Sequence, residues 1–258
     1  MTLVLNIPAF RLDVFDGETR IASYSVAVGL PRYRTPTGEF VLSEITWNPW
    51  WYPPNSQWAR HEKITPPGPV NPMGKVKLHL GGSVFLHASP FESSIGSAAS
   101  HGCARMLPAD AIGLAKMIQQ RKGSSITEGA VDSLIGSWHG TRVVSVPGGV
   151  RTKIEYRLAE VRQDSLFLHP DIYRVGKAGH GTEALRALAK AGYDTTNVDR
   201  NVLRAAVRQS RSKHVSVPIV LRANDVGTPL MRMRRTPDIF DGERRLSPFY
   251  THHIIRTR

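Results

Sequence analysis

With 258 residues, 41% of them hydrophobic and 21% charged, the chain can bury a full core and reads as one large globular domain, alone or with an appendage. No apolar run approaches the roughly 20 residues that span a bilayer, and Met1 to Pro8 lacks the basic start of a signal peptide. The formal charge of +13 is uneven: residues 1 to 110 carry 9 Lys+Arg against 8 Asp+Glu, so the excess lies in the second half, a field that could attract nucleic acid, anionic lipid or an anionic wall polymer.

The first 87 residues read as strands joined by turns. Phe10, Leu12 and Val14 alternate with Arg11 and Asp13, Asp16-Gly17 supplies a turn, and Tyr24, Val26 and Val28 alternate with small residues, which together predict a hairpin. Further strands are expected over Glu39 to Ile45, Lys75 to Leu80 and Ser83 to His87, with Gly81-Gly82 between the last two. Trp47 to Pro72, rich in Pro and Trp, predicts a long irregular loop of the kind that serves as a lid or binding loop.

After Arg105 the hydrophobic period changes from two to about 3.6. Pro108 opens a helix with Ala111, Leu114, Ala115 and Ile118 on one face, and Gly123 closes it. Ser125 and Glu128 form a capping box for a second helix. Strands resume at Thr141 to Val146 and Lys153 to Glu160, and Thr182 to Ala191 and Val198 to Gln209 are helical by spacing. Beyond about Arg222 the periodicity fades into a basic tail.

One segment carries chemistry. The only cysteine, Cys103, stands in Ser100-His-Gly-Cys-Ala-Arg105, where a strand pattern gives way to a helix pattern, and His87 ends an apolar strand sixteen residues upstream. A thiol becomes a good nucleophile beside a base or a positive field, and acyl chemistry profits from backbone N–H groups facing a developing oxyanion. His87, His101, Gly102 and Arg105 could supply those needs. A free cysteine is more often a small core residue, but a buried inert thiol has no use for such polar neighbours. His79, His87, His101 and Cys103 are also zinc-ligand types, yet their spacing fits no common zinc pattern, and no metal site is expected. A lone cysteine permits no intramolecular disulfide.

On these residues the chain resembles the L,D-transpeptidase catalytic domain family, the bacterial cell-wall enzymes with a catalytic cysteine. The match joins His87, twelve residues, and Ser100-His-Gly-Cys-Ala-Arg-Met106, with Ser94-Ile-Gly96 between. It extends through Asn6 to Leu12, Tyr24 to Gly29, Thr35 to Phe40, Trp47-Asn-Pro49, Pro66 to Pro69 and Asn71-Pro-Met-Gly74. The resemblance implies a mostly β catalytic domain, a β-sandwich or open barrel with a few helices. It implies attack by Cys103 on a peptidoglycan stem tetrapeptide, loss of the terminal D-Ala, and a thioester resolved by an amine of a second stem, by a lysine of a wall-anchored lipoprotein, or by water. His87 would then be the general base, Gly102 and Cys103 N–H groups would form the oxyanion hole, and His101 would orient the loop. Arg105, with Ser100 and Ala88, would meet substrate. No cofactor and no nucleic-acid partner are implied, and a wall substrate places the protein in the periplasm or cell envelope, where it would serve peptidoglycan synthesis, wall biogenesis and cell shape as a carbapenem target.

The expected organisation is a catalytic domain over 1–175 with a helical insertion near 108–140, an α+β C-terminal extension whose basic helical part covers 176–222, and a poorly ordered basic tail over 223–258. The stretch Lys153 to Tyr173 resembles the family's trailing strands, and nothing is recognised beyond Val175. Carboxypeptidase trimming, a non-catalytic wall-binding module and a zinc hydrolase are the alternative readings.

Overall fold

The computed structural model describes residues 1–196 and 198–219; the expected tail over 223–258 lies outside the described residues. The predicted hairpin is present as β2 (Arg11–Asp16) and β3 (Thr19–Gly29), and β1 (Thr2–Asn6) lies antiparallel to β2 on its other edge. The remaining strands of this sheet are β4 (Gly38–Trp47), β5 (Val76–Gly81), β6 (Val84–Ala88), β7 (Ala98–Ser100), β8 (Ala104–Met106) and β9 (Arg142–Glu155). Their order is β2-β1-β9-β4-β5-β6-β8-β3-β7, and β3 also pairs back onto β2. Eight strands therefore close on themselves as a barrel, and β7 is added parallel to β3. Closure removes the open edges that a flat sheet would expose.

Alternation decides what fills the barrel. Leu3, Leu5, Leu12, Val14, Val26, Val28, Ile45, Leu78, Leu86 and Met106 are buried in one core, which also takes the apolar face of α1 (Pro108–Lys122): Ala111, Leu114, Ala115 and Ile118. Trp47, fully buried, donates its indole N–H to Gln119 Oε1 at 3.1 Å, so its polar atom is satisfied inside the core.

Two local expectations change. The strands expected at Thr141 to Val146 and Lys153 to Glu160 begin as one long strand, β9, because a bulge at Gly148-Gly149 absorbs the register shift against β4 between Leu42 and Glu44. The second helix, α2 (Glu128–Ser137), is capped by Thr127, whose Oγ1 accepts the Ala130 N–H at 3.2 Å, and not by Ser125. Ser124 makes the turn before it, accepting from Ile126 N and from Gln119 Nε2. The helix therefore starts after that turn.

A second, smaller core gathers Ala159, Leu166, Leu168, Ala184, Leu188, Val198, Leu203, Ala206 and Val217. It lies between a three-stranded antiparallel sheet, β10 (Ala159–Arg162), β11 (Ser165–Leu168) and β12 (Val215–Pro218), and the helices α3 (Gly179–Lys190) and α4 (Arg200–Gln209). The α+β extension thus takes two strands from before residue 175: β10 and β11 pair with β12 near the end of the described chain and not with the barrel.

Polar groups bolt this unit to the barrel. Asn6 Nδ2 donates to Arg157 O at 3.2 Å, and Asn6 Oδ1 accepts the Arg157 N–H at 3.0 Å. The Arg11 guanidinium forks onto both Glu160 oxygens at 2.6 Å and bonds Asp13 at 2.9 Å, while Glu160 also accepts from His169 Nε2 at 3.1 Å. Burial alone would raise the Glu160 pKa, but the hydrogen bonds from His169 and Arg11 and the Arg11 charge hold it well below the usual carboxylate range.

Candidate active site

The sequence order strand, loop, strand places the chemistry. β6 and β8 run parallel, with Leu86 opposite Ala104, His87 opposite Arg105 and Ala88 opposite Met106. Leu86, Ala88, Ala104 and Met106 point into the core. Side chains alternate along a strand, so His87, Arg105 and the adjoining Cys103 share the opposite face. Lys77 joins them, because β5 brings it opposite His87.

His87 is only 2% exposed. Its Nδ1 lies 2.7 Å from the Ala88 carbonyl, which can only accept, so Nδ1 carries the proton and Nε2 offers a lone pair. Burial lowers its pKa to about 4; Arg105 and Lys77 push the same way, and the carbonyls of Ala88 and Pro72 oppose them. The imidazole is therefore neutral at pH 7. Cys103 is half-buried, and desolvation raises its pKa above the ordinary 9.0 against the opposing pull of the Phe85 backbone, Arg105 and Lys77. Its thiol reaches Ser83 O at 3.7 Å. Cys103 and His87 are thus a neutral thiol and a neutral imidazole on one sheet face under the influence of the same two cations, group types that can make a thiolate by proton transfer at the moment of attack.

His87 also gives a stability prediction. Its unfolded value is near 6.5 and its folded value about 4, so in that window the unfolded chain holds the extra proton and stability falls as pH falls. The full effect is roughly 3 kcal/mol. Urea midpoints measured from pH 7 to pH 4 should fall less steeply in His87→Gln than in the parent; equal slopes would assign the acid sensitivity to other groups.

The loop before Cys103 is tied down by its own serine. Ser100 is buried; its Oγ accepts the Gly102 N–H at 3.1 Å and donates to Cys103 O at 2.5 Å. Gly102 has φ +117, a conformation that favours glycine. The Gly102 N–H, expected in an oxyanion hole, is engaged by Ser100, and the Ser100 hydroxyl, expected to touch substrate, is engaged by the loop. Ala88, also expected to touch substrate, is fully buried in the core, where Gly74 (φ +59) is so close that a Cβ on it would lie 2.8 Å from the Ala88 methyl. Arg105 remains half-exposed, its guanidinium 5.6 Å from the Phe91 ring centroid.

Several residues of this region carry no sequence signal of a role. Trp58, in a short 3-10 turn of the long loop, stacks on His101 at 3.8 Å, and Tyr33 covers the same imidazole at 4.7 Å. The long loop is itself pinned by buried Asn71, whose amide donates to the carbonyls of Pro49, Thr65 and Pro66 and accepts from Met73 N. Behind the Cys103 loop, Tyr173 donates to Gly29 O at 2.7 Å and accepts from Thr35 N at 3.1 Å, while Leu30 N bonds Ser100 O. Only the Pro- and Trp-rich composition of residues 47–72 hinted at such a cover.

The sequence model of the L,D-transpeptidase catalytic domain, YkuD, matches residues 1–145. A Bacillus licheniformis protein provisionally named L,D-transpeptidase YkuD is 31% identical over 126 residues, covering 48% of this chain and 64% of its own length. The chain therefore spans slightly less than two thirds of that relative. Among solved structures, an L,D-transpeptidase from Mycobacterium smegmatis aligns over 60% of this chain and 58% of its own at 18% identity and a TM-score of 0.41. The catalytic domain of the Enterococcus faecium L,D-transpeptidase aligns over 60% and 95% at 13% identity and a TM-score of 0.38.

Proposed function

Because the chain belongs to the L,D-transpeptidase catalytic domain family, we propose that it transfers peptidoglycan stem peptides through a thioester on Cys103. As Sγ attacks the donor carbonyl carbon, the S–H proton passes to His87 Nε2, and the carbonyl π electrons move to oxygen. We assign the Cys103 N–H to that oxyanion, with the Ser100 clamp fixing the loop that presents it. Collapse breaks the amide C–N bond, and the proton held by His87 goes to the departing D-Ala amine. An acceptor amine then attacks the thioester, gives up its proton to His87, and the thiol is restored with that proton. Arg105, half-exposed on the same face, is placed to meet a substrate carboxylate or peptide oxygen.

The observation that carries this reading is the buried, neutral His87 imidazole, with Nδ1 committed as donor to Ala88 O, on the same sheet face as Cys103. Such a substrate lies outside the cytoplasmic membrane, so the periplasm or envelope is the proposed location; among the described residues no helix is long and apolar enough to cross a membrane. A stem peptide or a lipoprotein lysine would serve as acceptor through the same step. Incubation with a disaccharide tetrapeptide, with products identified by mass, tests the proposal: a cross-linked dimer or amine-exchanged product supports it, a tripeptide product indicates water as acceptor, and unchanged substrate opposes it.

A carbapenem supplies an independent prediction. Its strained lactam carbonyl can occupy the donor position, so intact mass at pH 7 should show one adduct per chain and none in Cys103→Ala. An unmodified protein with a titratable thiol would count against both pocket and nucleophile.

A further inference from the structure

A cleft of about 430 Å³ opens where the barrel meets the C-terminal unit, and its walls include none of the residues assigned above to acyl transfer. Six cations, Arg11, Arg20, Arg157, Arg162, Arg186 and Lys190, face three carboxylates, Asp13, Glu160 and Glu183. The carboxylates do not neutralise this excess. Asp13 and Glu160 are both engaged by Arg11, and Glu160 also by His169. Among the described residues, Arg20, Arg162, Arg186 and Lys190 form no ion pair within 4.0 Å. Arg157 pairs through a terminal nitrogen with Glu155, outside the cleft lining, while its buried Nε has no acceptor among the described residues. Crowding shows in Arg162, whose pKa is lowered first by burial and then by the charges of Arg11 and Arg20, with Asp13 and Glu160 opposing less strongly. Like charges held together around a space of small-molecule size are unfavourable unless an anion fills it.

We infer that this cleft binds a phosphate-bearing ligand between β2, β10 and α3. A carboxylate brings one charge, whereas a phosphoryl group brings up to about two with three acceptor oxygens, and the planar guanidinium forks that dominate the lining match those oxygens in pairs. The ligand would bridge the two units, since Arg20 comes from the barrel hairpin and Arg162, Arg186 and Lys190 from the extension. Bound there, it would add to the Arg11–Glu160 bolt and stiffen the junction.

Two sources share this chemistry, a free phosphate compound and a segment of a phosphodiester polymer. Calorimetric titration of the full chain with inorganic tripolyphosphate and with a glycerol-phosphate oligomer separates them: the tighter ligand at matched phosphate concentration identifies the source. One saturable site per chain is expected, weakened at least tenfold in Arg162→Gln/Arg186→Gln and in Arg20→Gln, and unchanged in Arg151→Gln, a residue 79% exposed outside the cleft. Each variant should keep carbapenem acylation at Cys103 or, should that reaction fail in the parent, its parental unfolding temperature. Failure of both phosphate ligands to saturate, equal loss in Arg151→Gln, or citrate binding as tightly as tripolyphosphate would overturn the inference.

Discussion

Cys103→Ala is expected to remain folded and to lose turnover by about 10⁴-fold or more, the scale on which removal of a covalent nucleophile acts. A methyl group cannot be acylated, so the thioester route closes entirely. The fold should notice little. Cys103 stands outside the buried core cluster, and its thiol makes weak polar contacts with Ser83 O at 3.7 Å and with the Phe85 backbone, so the stability cost should be under about 1 kcal/mol. Product formation from the tetrapeptide and thermal unfolding, measured on the same preparation, check both halves. Turnover above a few percent of the parent, with contaminating enzyme excluded, would mean that acyl transfer does not pass through Cys103.

His87→Ala should cost 10² to 10⁴ in rate, about 3 to 5 kcal/mol of barrier. The larger information lies in its pH profile. In the parent, His87 is neutral above about 4, and the Cys103 thiol stays protonated to beyond its ordinary 9.0, so kcat/KM should hold a broad plateau between those limits. Without the base, only the thiolate already present can react, and the rate should climb with pH across the same range. His101→Ala should behave differently. Its ring is stacked between Trp58 and Tyr33, so its loss should slow acyl transfer by loosening the loop while leaving the plateau in place. A plateau abolished by His101→Ala and kept by His87→Ala would reverse the two roles.

The reactive segment is legible in the chain because its parts are local. His87 closes an apolar strand, Ser100 to Arg105 opens the next, and the alternation of Leu86 and Ala88 with His87 already separates core from outer face. The helix beginning at Pro108 is legible for the same reason, since its apolar period is written in consecutive residues. The limits are equally local. Nothing near Ala88 indicates that Gly74 packs against its methyl group, and nothing near Gly102 indicates that its N–H is taken by the Ser100 hydroxyl. Ser125 matches the capping pattern as well as any residue, but the turn made by Ser124 hands the cap to Thr127.

By itself, the sequence determined the period of each element, the turns that end them and the identity of the reactive groups, because these depend on residues only a few positions apart. Tertiary structure decided which strands meet. β1 lies parallel to β9 with Thr2 opposite Arg151, β2 and β3 close the barrel, and β10 and β11 leave it to join β12. It also stacked Trp58 on His101 and gathered Arg20, Arg162 and Arg186 around one cleft. An alternating pattern states only that one face of a strand must be buried. The partner that buries it is selected by the packing of the whole core and by charges that meet only after the chain has folded.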